Sequence, residues 1–274
     1  MFNTKPSNMN YTETNYRKIG IVAAIAIALA AMMIPGASLA STALADKGGK
    51  VSDSGNVVQS ISQSNSISAS NSGAHGSASA DLNTQSNEAA NVASVDIHNG
   101  GSHDKKSGYD KGGSIKDSGN VVQSIDQSNS ISASNSGASG SASADLNTQS
   151  NEAANIASVD IHNHGGYHGG KIKDSGNVVQ AIGQSNSITA TNTGNGGSAS
   201  ADLNTQSNEA ANIASVDIHN HGGKIKDSGN VAQILAQANS INATNTALGG
   251  RASADFNIQS NNATNFADID IRNH

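Results

Sequence analysis

The residues best equipped for chemistry are histidines and aspartates spaced two apart. Asp160, His162 and His164 stand at i, i+2 and i+4, and Asp217, His219 and His221 repeat the arrangement. Residues two apart on an extended strand point to the same face, so each triplet would present a carboxylate beside two imidazoles. Those donors suit Zn²⁺ or Cu²⁺. Stacked imidazoles would also respond to pH near their ordinary pKa of about 6.5. His98, His103 and His168 lie in or beside Gly-rich connectors. The competing reading is a polar exit from a strand into a loop, so a divalent metal is one option and the expected cofactor is none.

Other chemistry is sparse. The chain has no Cys, which removes thiolate metal sites and disulfides. It shows no G-x-S-x-G, P-loop or dinucleotide fingerprint, and Ser is too abundant for any one to be informative. Glu88, Glu152 and Glu209 recur once per repeat, with Asn262 in the fourth place, which suits a solvated row better than a catalytic acid. The Asp-Ser-Gly-Asn segments, such as Asp117–Asn120, read as turns, because Asp and Asn bond locally and Gly takes positive φ. Calcium at these acidic turns is a weaker option, because the Gly-rich calcium repeat is missing. The reading is therefore non-enzymatic.

What would position these residues is a repeat. Residues 53–99, 117–163, 174–220 and 227–273 align without gaps, 47 residues each. Copies one and two differ at 3 positions, two and three at 7, and three and four at 17. The connectors shrink from 17 (100–116) to 10 (164–173) to 6 (221–226) residues. A constant unit with variable connectors is what a stacked array requires.

Variation shows which face is constrained. From Asn120 to Asn135 the residues alternate with strand periodicity. Val121, Gln123, Ile125, Gln127, Asn129, Ile131, Ala133 and Asn135 share one parity, and mostly Ser holds the other. Between copies two and three, Ser124, Asp126, Ser132, Ser134 and Ser136 become Ala181, Gly183, Thr189, Thr191 and Thr193, all on the Ser face. In the second half, Gln149, Asn151, Ala153, Asn155, Ala157, Val159, Ile161 and Asn163 share a parity that copy four largely keeps. The expectation is an all-β chain, a β-solenoid of four 47-residue repeats with about two rungs per repeat and a bend within each long strand. The alternatives are a long-hairpin sheet or a mixed α/β repeat, since Leu146, Ala153, Ile156 and Ala157 also fit helical spacing with Asp145 as N-cap.

A core of Gln and Asn is costly unless each amide is paired, at about 1–3 kcal/mol per unpaired group. Identical strands stacked about 4.8 Å apart solve this, because each amide meets its own copy above and below. Gln123, Gln127, Asn129, Asn135, Gln149, Asn151 and Asn155 are the expected ladder. The Gln-Ser-Asn tripeptides at Gln127 and Gln149, 22 residues apart, and the Ser/Asn/Gln/Gly/Ala composition resemble curlin-type repeats over residues 53–273. Gln127 precedes Asn129 by two residues and Asn135 by eight, spacings that differ from the curlin pattern. The resemblance implies a β-solenoid and a secreted subunit of amyloid-like surface fibres.

Copy four turns its variable face apolar, with Ile234, Phe256, Ile258 and Phe266 as an expected assembly face. Asn242 and Asn262 there open N-x-T sequons. Overall only 35% of the 274 residues are hydrophobic and 13% charged, poor in both core material and charge. The net charge of −6, with no basic stripe, argues against nucleic acid as partner.

At the start, Arg17 and Lys18 precede an uncharged run, Ile19 to Ile34, followed by Ser38-Leu39-Ala40 and Ala43-Leu44-Ala45. That is the layout of a secretory signal over residues 1–45, with cleavage after Ala45 and a short segment 46–52 before the repeats. An uncleaved anchor, or cleavage after Gly20 as in pilin-like signals, are the alternatives. Removing the signal leaves 12 basic and 20 acidic residues, an acidic mature chain. Contact with membrane is expected only through that signal or anchor. The expected protein is secreted and associated with the cell surface. It builds filaments or biofilm matrix with itself or related subunits. The alternative is a monomeric module binding glycan, mineral or ice through its Ser/Thr face, with Thr189, Thr191 and Thr193 as the most ordered row.

Overall fold

The computed structural model describes residues 37–45, 50–100, 113–164 and 169–274. Most of the expected signal, and the connector residues His103 and His168, lie outside the described residues. The regular structure described is entirely strand. β1 (Ala37–Ala45) comes first. Taking each repeat together with the short strand just before it, the first holds β2 (Lys50–Ser52), β3 (Val57–Asn71), β4 (Ala78–Ser79) and β5 (Thr84–Asn99). The second holds β6 (Ser114–Lys116), β7 (Val121–Asn135), β8 (Ala142–Ser143) and β9 (Thr148–Asn163). The third holds β10 (Gly170–Lys173), β11 (Val178–Asn192), β12 (Ser198–Ser200) and β13 (Thr205–Asn220). The fourth holds β14 (Gly223–Lys226), β15 (Val231–Asn245), β16 (Arg251–Ser253) and β17 (Ile258–Asn273).

Each repeat is one flattened turn of a β-solenoid, with sides in the order short, long, short, long. Like sides stack as parallel sheets: β3-β7-β11-β15, β5-β9-β13-β17, and the two short sides likewise. The register puts each residue on its own copy. Val57 pairs with Val121, Val121 with Val178, and Val178 with Val231. The sequence separation of stacked residues falls from 64 to 57 to 53, so the shrinking connectors absorb the whole difference.

The rung count differs from the sequence expectation. One repeat makes one rung, giving four among the described residues in place of about eight. The physical reason is register. A 22-residue offset would place Gln127 on Gln149 but also Asn135 on Ala157 and Ile125 on Asn147, breaking most of the ladder. Stacking whole repeats matches 15 positions on one long side and 16 on the other. The two Gln-Ser-Asn segments instead face one another across the core: the Asn129 amide donates to Asn151 Oδ1 at 3.0 Å. The parallel pairing replaces the hairpin alternative, and β9 occupies the segment considered for a helix. The expected mid-strand bend is also missing, since the long strands run unbroken for 15 and 16 residues. The reversals sit at corners. Asp117 and Gly119 take φ of 51° and 69°, and the same pair recurs in every repeat, as the turn reading anticipated.

The interior alternates apolar and amide bands. Val95, Ile97, Ile115 and Val121, with their copies, fill one end of the section. Ile125 and Ala153 fill the middle, and Ile131, Ala133, Ala142 and Ala144 fill the other end. Gln and Asn occupy the space between them. Outward positions of β3, β7 and β11 are mostly Ser and Thr, whereas those of β5, β9 and β13 mix Ser and Thr with Glu, Ala, Val or Ile, Asp and His. Among the described residues no helix is long and apolar enough to cross a membrane.

Candidate functional site

The amide ladders come first, since every expected member is buried. Gln123 donates to Gln59 Oε1 at 2.8 Å and across the core to the Ile156 carbonyl at 3.0 Å. Gln127 donates to Gln63 Oε1 and the Glu152 carbonyl, both at 2.9 Å. Gln149 donates to Gln85 Oε1 at 2.9 Å, and Asn135 to Asn192 Oδ1 at 2.7 Å. Asn151 donates to Asn208 Oδ1 at 3.0 Å and Asn155 to Asn212 Oδ1 at 3.1 Å. One N–H thus binds the neighbouring rung and the other usually ties the opposite sheet to it.

The ladders have direction. Asn71 donates to Asn135, Asn135 to Asn192 and Asn192 to Asn245, always toward the fourth rung. Gln233 donates to Gln180, Gln180 to Gln123 and Gln123 to Gln59, always toward the first. The other inward columns obey the same rule, Asn91 to Asn155 and Gln206 to Gln149 among them. The fourth rung therefore ends in Asn donors and Gln acceptor oxygens, and the first in the converse.

The two ends of the stack are dressed differently. β1 pairs with β5, Ala37 opposite Asn91 through Ala45 opposite Asn99. That strand falls within the segment expected as signal. At the far end β17 is exposed along almost its whole length, inward positions included. The expected assembly face is divided by the fold. Ile234 projects from the outer face of the β15 sheet, whereas Ile258 and Phe266 belong to the opposite long sheet, and Phe256 sits at a corner. All four are exposed. They lie on the surface of the last rung but do not make a single patch, because the two long sheets face away from each other.

A ladder at that corner was missed by the sequence reading. The Asp81 carboxylate accepts the backbone N–H of Asp145 at 2.8 Å and the Ser143 hydroxyl at 2.6 Å. Asp145 does the same for Asp202, and Asp202 for Asp255, each at 2.6 Å. For Asp81 and Asp202 burial opposes ionisation, but these backbone and Ser hydrogen bonds outweigh it and hold both carboxyls below their ordinary value. The next residues, Leu82, Leu146, Leu203 and Phe256, adopt φ of 55–58°, a region costly for a side chain with a Cβ. The recurrent Ser-Ala-Asp-Leu/Phe-Asn string was the available signal.

The histidines do assemble. Asp96, Asp160, Asp217 and Asp270 stack in one column, and His98, His162, His219 and Arg272 in the next. His162 and His98 are 4.8 Å apart between ring centres, as are His162 and His219. His162 Nε2 lies 2.8 Å from His219 Nδ1. His164 and His221 form a further column with ring centres 5.0 Å apart. Burial first, then the neighbouring imidazoles, depress the pKa of His164. The candidate metal residues Asp160, His162, His164, Asp217, His219 and His221 thus lie on one outer surface, with His98 and His274 beside them. The Glu row is stacked as expected, Glu88 on Glu152 on Glu209. Burial and the two flanking carboxylates raise the pKa of Glu152.

Comparison with protein-family models, with curated proteins and with solved structures gives no match to this chain.

Proposed function

We propose that this chain is a secreted structural subunit that joins copies of itself end to end, continuing its Asn and Gln ladders into extracellular filaments or matrix. The observation that carries this reading is the opposed direction of the ladders. A fourth rung ending in Asn donors and Gln oxygens complements a first rung ending in Asn oxygens and Gln donors. Contact between two different, complementary surfaces that does not close a ring propagates as an open filament. An exposed strand edge is a template for such pairing unless it is covered, and β17 is exposed. On this reading β1 covers part of the edge that β17 would meet, at Asn91–Asn99. Cleavage after Ala45 would clear it and couple processing to assembly.

The test is electron microscopy and fibre diffraction on the full chain and on a chain beginning at Asp46, at neutral pH. Filaments with a meridional spacing near about 4.8 Å, forming faster from the shorter chain, are expected. A monomer at all concentrations in both would overturn the proposal. In that case weight moves to the surface-binding reading. The outward hydroxyl columns, with Thr189 on Ser132 and Thr191 on Ser134, give that reading its regular lattice.

A further inference from the structure

We propose that the Asp–His column along the outer edge of β5, β9, β13 and β17 is a site for borderline divalent cations, with Zn²⁺ as the reference ion. It is independent of whether the chain forms filaments.

The donors converge. A carboxylate oxygen of Asp217, a ring nitrogen of His219 and a carboxylate oxygen of Asp270 all lie within 4.8 Å of one another. His219 Nε2 and Asp217 Oδ1 are 3.2 Å apart, yet both atoms are buried and neither makes a hydrogen bond. The rung below repeats this: His162 Nδ1 and Asp160 Oδ1 are 3.0 Å apart, both buried, neither hydrogen-bonded. A nitrogen and an oxygen that approach off the hydrogen-bond line are arranged as co-ligands. Two ligands on one tetrahedral zinc with bonds of about 2.0–2.1 Å lie roughly 3.3 Å apart. These Asp–His pairs are ion-pair contacts when the imidazole is charged. A cation between a neutral imidazole and the carboxylate would give both buried atoms a directional bond that neither makes within the protein.

The chemistry of the donors selects the ion. Mixed imidazole and carboxylate favours Zn²⁺ or Cu²⁺ over Ca²⁺ and Mg²⁺, which prefer all-oxygen shells. Arg272 replaces His in the last rung and holds the Asp270 carboxylate at 2.5 Å, so it competes for that ligand. The column consequently has a built-in end. Three donors converge between the third and fourth rungs, where Asp217 and His219 meet Asp270, and an ion there takes the Asp270 oxygen in competition with Arg272. The fourth ligand position remains for water or an imidazole of the adjacent column.

The test is calorimetric titration of the full chain with Zn²⁺, with Co²⁺ absorption spectra as the reporter of coordination geometry. Saturable Zn²⁺ binding, tetrahedral Co²⁺ bands and little response to Ca²⁺ or Mg²⁺ are expected. His219→Gln and Asp217→Asn should each weaken Zn²⁺ binding by roughly tenfold or more, with the circular dichroism unchanged. His75→Gln and the double change His103→Gln with His168→Gln should leave it within about twofold. The proposal is overturned if the wild-type chain does not bind Zn²⁺. Equal binding by His219→Gln, Asp217→Asn and wild type would overturn it too, as would loss confined to the connector variant.

Discussion

Along β5 the inward residues Asn91, Ala93, Ile97 and Asn99 are buried, whereas their counterparts on β17, Asn265, Ala267, Ile271 and Asn273, are exposed. The residue types are identical at each of these positions. What differs is the neighbour: β5 lies between β1 and β9, while β17 pairs with β13 alone. Burial in this molecule is thus a property of the stack and not of the rung, as expected where each unit contacts only its neighbours. The apolar core positions of copy four mark the same contrast. Ile269 and Ile271 occupy a core parity but are 46% and 43% exposed, where Val216 and Ile218 one rung below are 1% and 0%.

The sharpest way to break that contrast is to separate interior rungs. A Cβ on Gly197 would lie 1.5 Å from the Gly140 carbonyl oxygen, so Gly197→Ala forces two rungs apart. It should cost about 3 kcal/mol or more, measured by denaturant unfolding. Next is one amide tested at two depths. Asn151→Ala strands the N–H groups that Asn87 and Asn129 donate to it, for a loss of about 2–3 kcal/mol. Asn261→Ala at the exposed end should cost less than about 1 kcal/mol. Equal losses would show that the end rung is as buried as the interior.

Acid should act on the corners. Asp81 and Asp202 have folded pKa values below their unfolded ones, so their contribution is full above about pH 4 and is lost as pH falls through the folded values. Glu152 has the opposite sign: its raised pKa means that protonation stabilises the stack. The thermal midpoint should fall in strong acid, and Asp202→Asn should flatten that fall. Glu152→Gln should raise the midpoint slightly at neutral pH. The smallest effect on stability is expected from Phe266→Ser, whose side chain lies on the outer face. It should change the unfolding free energy by less than about 0.5 kcal/mol, measured by denaturant unfolding.

The inward parity of both long strands was legible, because nearly all variation between copies falls on the other parity; Ile182 to Leu235 and Val216 to Ile269 are conservative exceptions. The histidine columns followed from the same register, since residues stacked on their own copies must bring His162 to His219. The rung count was not legible from one tripeptide spacing; it required the comparison of whole faces, where Asn135 opposite Ala157 disqualifies the shorter period. The Asp81–Asp145–Asp202–Asp255 corner escaped because Leu82 and its copies are poor turn formers by type. Their left-handed backbone is held by hydrogen bonds to the adjacent rungs, which no local propensity contains. The divided assembly face was likewise a question of which sheet each strand joins.

The opposed donor directions also govern how long such a stack can grow. Along the long strands, five inward Asn columns point one way and three Gln columns the other. Aligned amide dipoles would sum along the axis as peptide dipoles do in a helix, leaving charge at each end. Here most of that sum cancels within every rung. Lengthening the stack therefore adds little electrostatic strain, and its ends stay weakly polarised whatever its length.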